Sequence, residues 1–185
     1  MDAPGRVKGS LGVEDFALAE AAEGILADLD RLEIGAAHFC GLSLGAMLAF
    51  EIAVEHPERT IRLTLAAGQV KPPRVLMKIQ RAFMRLLPAR MISSAGVSKS
   101  QLIAVVDAVS HTDFSSKLAL IAAPTLVICG SKDWASIPAA RALASGSRDS
   151  ELRIIDGGGH LANTQTPELF SSVLNDFLLR KSLGR

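Results

Sequence analysis

Tyrosine is absent from this 185-residue chain, tryptophan occurs once, and aromatic residues make up only 4%. A surface that stacks single-stranded nucleic acid needs such rings, so that class is disfavoured. Charge of one sign is also missing: 20 Lys+Arg stand against 19 Asp+Glu, for a net charge of +1. The balance gives no electrostatic reason to expect nucleic acid or an anionic membrane as partner. Arg180, Lys181 and Arg185 at the tail read as a solvated end. Two cysteines, Cys40 and Cys129, are too few for a disulfide framework. Each closes an apolar run, where a thiol is expected to behave as a small buried hydrophobe. No apolar run approaches the ~18 residues of a membrane span, and no basic region followed by an apolar one opens the chain. The expected compartment is a reducing cytosol. No group of His, Cys or acidic residues has ligand spacing, so no metal or organic cofactor is implied.

What is present is a core-forming composition, 49% apolar and 21% charged, in an order that alternates apolar runs with helix-like stretches. From Val13 to Leu32, Phe16, Ala19, Ala22, Leu26 and Leu29 recur at helical spacing, and Gly35 is expected to supply a left-handed cap. Ala36 to Cys40 reads as a short buried strand, Ala46 to Glu55 as a helix stopped by Pro57, and Arg59 to Ala67 as a second strand. Lys71 to Ser116 differs. It holds Pro72, Pro73 and Pro88, a basic stretch (Lys78, Arg81, Arg85, Arg90) and helical spacing in Val75, Ile79, Ala82 and Leu86. This predicts a helical insertion at 71–116 in a core made of 1–70 and 117–185. Thr125 to Cys129 and Leu152 to Ile155 read as further strands, with helices over Pro138 to Ala144 and Pro167 to Leu179. Such alternation implies an α/β fold, a mostly parallel sheet with helices on both faces.

The sharpest feature is Gly41-Leu42-Ser43-Leu44-Gly45 between a predicted strand and a predicted helix. A serine on that turn is thrust above the sheet, and Gly41 and Gly45 are expected to be the positions that must lack bulk. The N–H of Leu44, opening the helix, would face a developing oxyanion. Serine needs a base, and the base an orienting acid. Of four histidines, His38 lies within the first strand and reads as a packed core residue. His56 sits at a helix end before Pro57, and His111 in the insertion. His160 follows Gly157-Gly158-Gly159 at the carboxyl end of the fourth strand, the edge where sites of open α/β sheets gather. Asp133 stands just past the third strand, whereas Asp107 and Asp113 lie in the insertion. The plainer reading of Asp133 is a turn or N-cap residue. Ser43, Asp133 and His160 each follow a different strand at one edge, and chance seldom places three such residues together.

On the segments HFCGLSLGAMLAFEIAVEHPERTIRLTLAA, IAAPTLVICGSKD and LRIIDGGGHLANTQTPELF, the chain resembles the α/β-hydrolase family. It looks most like small serine hydrolases of the 3-oxoadipate enol-lactonase or carboxylic-ester hydrolase kind. The resemblance implies Ser43 as nucleophile, His160 as general base, Asp133 as acid, Leu44 N–H as one oxyanion donor, and 71–116 as a cap over the pocket. It implies a small acyl substrate held as an ester, lactone or similar bond. Serine at the elbow argues against haloalkane dehalogenases, which carry aspartate there, and dienelactone hydrolases, which carry cysteine. Acyl transfer, carbon–carbon hydrolysis and cofactor-free perhydrolysis use the same three residues.

The opening Asp2-Ala3-Pro4-Gly5-Arg6-Val7-Lys8-Gly9-Ser10 resembles the loop after the family's fourth strand, with Val7 where a second glycine is usual. The family's preceding strands, on the order of 70 residues by ordinary element lengths, are expected to be missing, which describes an N-terminally truncated member. The second oxyanion donor comes from that region in the family, and losing one donor costs about 10²–10³ in turnover. The strand ending at Cys40 would then lack a neighbour and invite another chain, giving a homo-oligomer through that edge. A misplaced start, a non-catalytic relative, and a partner that completes the sheet all fit this pattern.

Overall fold

In a computed structural model, described over residues 17–72, 74–88 and 98–180 with backbone only for 74–76 and 80, four strands form one parallel sheet. They are β1 (Ala37–Leu42), β2 (Thr60–Ala66), β3 (Thr125–Gly130) and β4 (Ser150–Ile155), in spatial order β1-β2-β3-β4. Every neighbouring pair is parallel, as the alternation of strand and helix demands. Helices α2 (Leu44–Glu55), α5 (Ile137–Gly146) and α7 (Pro167–Leu179) belong to this unit, with the short α6 (Ala162–Gln165). The unit comprises Ala36–Val70 and Phe114–Arg185.

The strands differ in exposure according to their place in the sheet. β3 is buried at every position and β2 at all but Ile61, as a strand covered on both faces must be. Alternate β2 and β3 residues serve opposite faces. Ala66, Leu126 and Ile128 join Ile155, Ala162, Phe170 and Phe177 in one cluster, onto which Leu42, Val173 and Leu174 pack. Burying Phe170 and Phe177 this way makes truncation of either to alanine cost about 3–5 kcal/mol. Residues Ala46, Met47, Ala49, Phe50, Ile52 and Ala53 of α2 are buried, a helix apolar nearly all round because it packs into a core. Phe50 stacks on Phe114 with ring centroids 4.3 Å apart. Arg62, buried on β2, lies with its guanidinium 5.2 Å from the Phe177 ring centre and donates to the carbonyl of Arg180. One cation thus ties a central strand to the end of α7.

Edge strands depart from the uniformly buried reading. β1 alternates, with His38 and Cys40 exposed. Both expectations of burial are therefore corrected, because an edge strand covered unevenly keeps a period of two. β4 likewise exposes Arg153 and Ile154. Cys129, on central β3, is buried as expected.

The second unit comprises Met1–Gly35 and Lys71–Asp113, and is described separately. Its α1 (Leu18–Arg31) buries Ala22 and Leu26, while Phe16 lies outside the described residues. The left-handed residue after α1 is Glu33 (φ 58°), not Gly35. Ile34 N–H reaches the carbonyl of Leu29 and Glu33 N–H that of Asp30. These two bonds make a Schellman closure two residues earlier than the glycine suggested, and their yield outweighs the strain of a non-glycine there. Within 71–116, α3 spans Arg74–Leu86 and α4 Lys99–Ser110. α4 opens on a capping box: Ser98 Oγ accepts from Gln101 N–H, and Ser98 N–H donates to Gln101 Oε1. Lys99 Nζ donates to the carbonyls of Arg85 and Leu87, closing the end of α3. Arg81 pairs with Asp107 across the two helices at 2.6 Å. Phe83 and Leu86 are exposed. Among the described residues no helix is long and apolar enough to cross a membrane.

Candidate active site

Parallel pairing sets the carboxyl ends of the four strands side by side: Leu42 opposite Ala66, Ala66 opposite Ile128, Gly130 opposite Ile155. Each candidate residue leaves the sheet at this rim. Ser43 follows β1 directly, Asp133 comes three residues after β3, and His160 five after β4. Topology alone thus brings together residues 117 and 27 positions apart.

Ser43 occupies a strained turn, with φ 54° and ψ −112°. A side chain in that region costs of order 1–3 kcal/mol and persists only where its surroundings over-determine it. Here the Ser43 amide donates to the carbonyl of Ala66 at 2.8 Å, and the Ser43 carbonyl accepts from Ala46 and Met47. The turn is closed by Gly41, where an added Cβ would lie 2.1 Å from the carbonyl oxygen of Gly45. At Gly45 an added Cβ meets nothing within 4 Å among the described residues. The expectation that both glycines must lack bulk is therefore half corrected, since the clash is carried by Gly41 against the Gly45 backbone. Leu44 opens α2, and helix geometry gives its N–H no acceptor within the helix.

Asp133 is 8% exposed. Its side chain does not cap α5, whose N-cap is Ser136 without a side-chain bond. The carboxylate Oδ2 instead meets His160 Nδ1 at 2.8 Å, and His160 Nε2 meets Ser43 Oγ at 3.0 Å. With the Nδ1 proton donated to the carboxylate, Nε2 is left to accept from the serine hydroxyl. The three predicted residues thus form one continuous hydrogen-bond chain. An imidazole so placed can take a hydroxyl proton, and a carboxylate so placed stabilises the resulting charge.

The competing residues lie elsewhere. Asp107 pairs with Arg81 and Asp113 with Lys71. His111, exposed, donates from Nδ1 to the carbonyl of Asp107, one turn back. His56 ends α2. Among the described residues no group of three or more His, Cys, Asp or Glu could hold a metal ion.

Sequence reasoning missed the residues that brace the His160 and Asp133 loops. Ser131 Oγ accepts from Gly157 N–H at 2.9 Å, and Lys132 N–H donates to the carbonyl of Gly158 at 2.8 Å. Gln165 Oε1 accepts from Gly159 N–H at 2.6 Å, and Gln69 Nε2 donates to the buried Ser136 Oγ at 3.2 Å. Gly157 takes φ 74°, a left-handed turn that favours glycine. The one signal for these contacts is Ser131, the small polar residue two positions before the acid.

The chain matches the alpha/beta hydrolase family over residues 1–173. It belongs to that family. As an alpha/beta hydrolase it is an enzyme, in the company of named hydrolases. It is 28% identical to a candidate carbamate hydrolase, RutD, of Agrobacterium fabrum, over 95% of this chain and 79% of that protein. It is 26% identical to 3-oxoadipate enol-lactonase 1 of Acinetobacter baylyi, over 90% of this chain and 73% of that one. Among solved structures, a hydrolase from Pseudomonas aeruginosa PA01 superposes with a TM-score of 0.81 at 26% identity, covering 97% of this chain and 78% of that one.

Proposed function

We propose that this alpha/beta hydrolase cleaves an ester, lactone or similar acyl bond by way of an acyl-enzyme on Ser43. The observation that carries the reading is the unbroken chain Ser43 Oγ–His160 Nε2 at 3.0 Å and His160 Nδ1–Asp133 Oδ2 at 2.8 Å. His160 takes the Ser43 proton as Oγ attacks the substrate carbonyl, and Asp133 holds the imidazole tautomer and steadies its positive form. The Leu44 N–H stabilises the oxyanion as it forms. His160 returns the proton to the leaving group, then draws a proton from the water that attacks the acyl carbonyl and gives it to Ser43 Oγ as the acyl-enzyme bond breaks. Relatives named for carbamate and enol-lactone hydrolysis support an acyl bond to oxygen or nitrogen as the target.

A fluorophosphonate probe tests this directly. Labelling of the folded wild type at Ser43, lost in Ser43→Ala, is the expected result, together with turnover of p-nitrophenyl esters. A folded wild type that neither takes the probe nor turns over any ester would overturn the reading in favour of a non-catalytic protein.

A further inference from the structure

The only tryptophan of the chain, Trp134, directly follows Asp133, and Leu161 directly follows His160. Because the Asp133 and His160 side chains are hydrogen-bonded at 2.8 Å, two large apolar residues stand one peptide away from either side of that bond. Both are turned out: Trp134 is 79% and Leu161 48% exposed, beside an Asp133 at 8%. Scattered exposed leucines are ordinary. An indole in water is less so, because burial of an aromatic ring is among the largest single gains a fold can make.

The backbone on which both residues sit is tightly bonded. Asp133 N–H donates to the carbonyl of Gly130, and the Asp133 carbonyl accepts from Ser136 and Ile137 on the other side of Trp134. The Leu161 carbonyl accepts from Thr164 and Gln165. An apolar side chain on so fixed a mount loses little freedom when a ligand covers it, which favours its use as a contact.

We infer that Trp134 and Leu161 form the apolar rim against which the substrate's acyl or alcohol group rests, so that the enzyme selects aliphatic or aryl groups over short or charged ones. This inference rests on the Ser43 reading, which it deepens by naming the substrate class. Trp134 and Leu161 act in it as specificity residues and move no proton.

The test compares p-nitrophenyl octanoate with p-nitrophenyl acetate for wild type, Trp134→Phe, Trp134→Ala and Leu161→Ala. The ratio of kcat/KM values, octanoate over acetate, is expected to fall about tenfold in each alanine variant, mainly through KM, because a lost apolar contact is worth roughly 10–200-fold. Trp134→Phe is expected to keep most of the ratio. Leu120→Ala, 59% exposed on the turn ahead of β3, is the control and should leave it unchanged. A ratio equal to wild type in both alanine variants overturns the inference while the Ser43 reading stands. Because Trp134 is the sole tryptophan, its emission gives a second arm that needs no turnover. In Ser43→Ala, methyl octanoate should shift that emission to the blue and methyl acetate should not. No shift with either ester overturns the inference, whereas unaltered turnover in Ser43→Ala overturns the nucleophile reading alone.

Discussion

A Cβ built on Gly130 would lie 2.3 Å from the carbonyl oxygen of Gly158. The strand end that leads to Asp133 and the loop that carries His160 are therefore nested, backbone against backbone, and Lys132 N–H bonds the same Gly158 carbonyl. Gly130→Ala must push the His160 loop away from Asp133 and Ser43. A displacement near 1 Å costs about 10²-fold in rate. We expect kcat/KM on a p-nitrophenyl ester to fall by about that factor in a protein that still folds by circular dichroism. Wild-type kcat/KM in this variant would mean that the loop yields without moving its histidine.

Gly41 and Gly45 separate a steric requirement from a family habit. Gly41→Ala drives a methyl into the Gly45 carbonyl, and overpacking against backbone costs about 3 kcal/mol. Gly45→Ala meets nothing within 4 Å among the described residues, and on α2 alanine is the better helix former by roughly 0.5–1 kcal/mol. Urea denaturation is expected to place Gly41→Ala well below wild type and Gly45→Ala at or slightly above it. Equal destabilisation by the two would contradict the geometry.

Both glycines looked equivalent in sequence because a five-residue pattern records spacing and not which atoms approach. What the sequence made legible was the order of elements and the rim. The apolar runs ending at Cys40, Cys129 and Ile155 fall within two residues of the observed strand ends at Leu42, Gly130 and Ile155, and parallel pairing then needs no further information to collect Ser43, Asp133 and His160. What it hid depends on neighbours distant in the chain. His38 and Cys40 looked like core because their run is apolar, but edge position decides their exposure. Arg62 in a central strand reads as an error until the Phe177 ring and the Arg180 carbonyl receive its guanidinium. Glu33 in place of Gly35 shows a cap set by bonds back to Leu29 and Asp30 rather than by composition.

Cys129 offers a reading of the acid loop through pH. Burial, and secondarily the Asp133 carboxylate, push its thiol up to about 11. The folded state thus holds the Cys129 proton more tightly than the unfolded chain, whose thiol titrates near 9. Stability from this source is complete below about pH 9 and is lost as pH rises towards 11. Chemical denaturation at a series of alkaline pH values should show this decline in wild type and a flatter one in Cys129→Ala. Parallel curves for the two proteins would place the alkaline loss elsewhere.

Ser43 sits at φ 54° and ψ −112° with a Cβ attached, so the fold carries strain at the residue proposed to do the chemistry. Two substitutions isolate it. Ser43→Ala removes the hydroxyl and keeps the Cβ, whereas Ser43→Gly removes both. If the strain is of the usual size, about 1–3 kcal/mol, less the roughly 0.5–1 kcal/mol that glycine's unfolded freedom costs, then Ser43→Gly should be the more stable of the two by about 1 kcal/mol. Both should be inactive towards esters and towards a fluorophosphonate. Paired urea titrations measure the difference directly. If Ser43→Gly proved no more stable than Ser43→Ala, the bonds from Ser43 to Ala66, Ala46 and Met47 would be holding an unstrained turn. A more stable and inactive Ser43→Gly would show that the enzyme gives up stability to present its hydroxyl to His160.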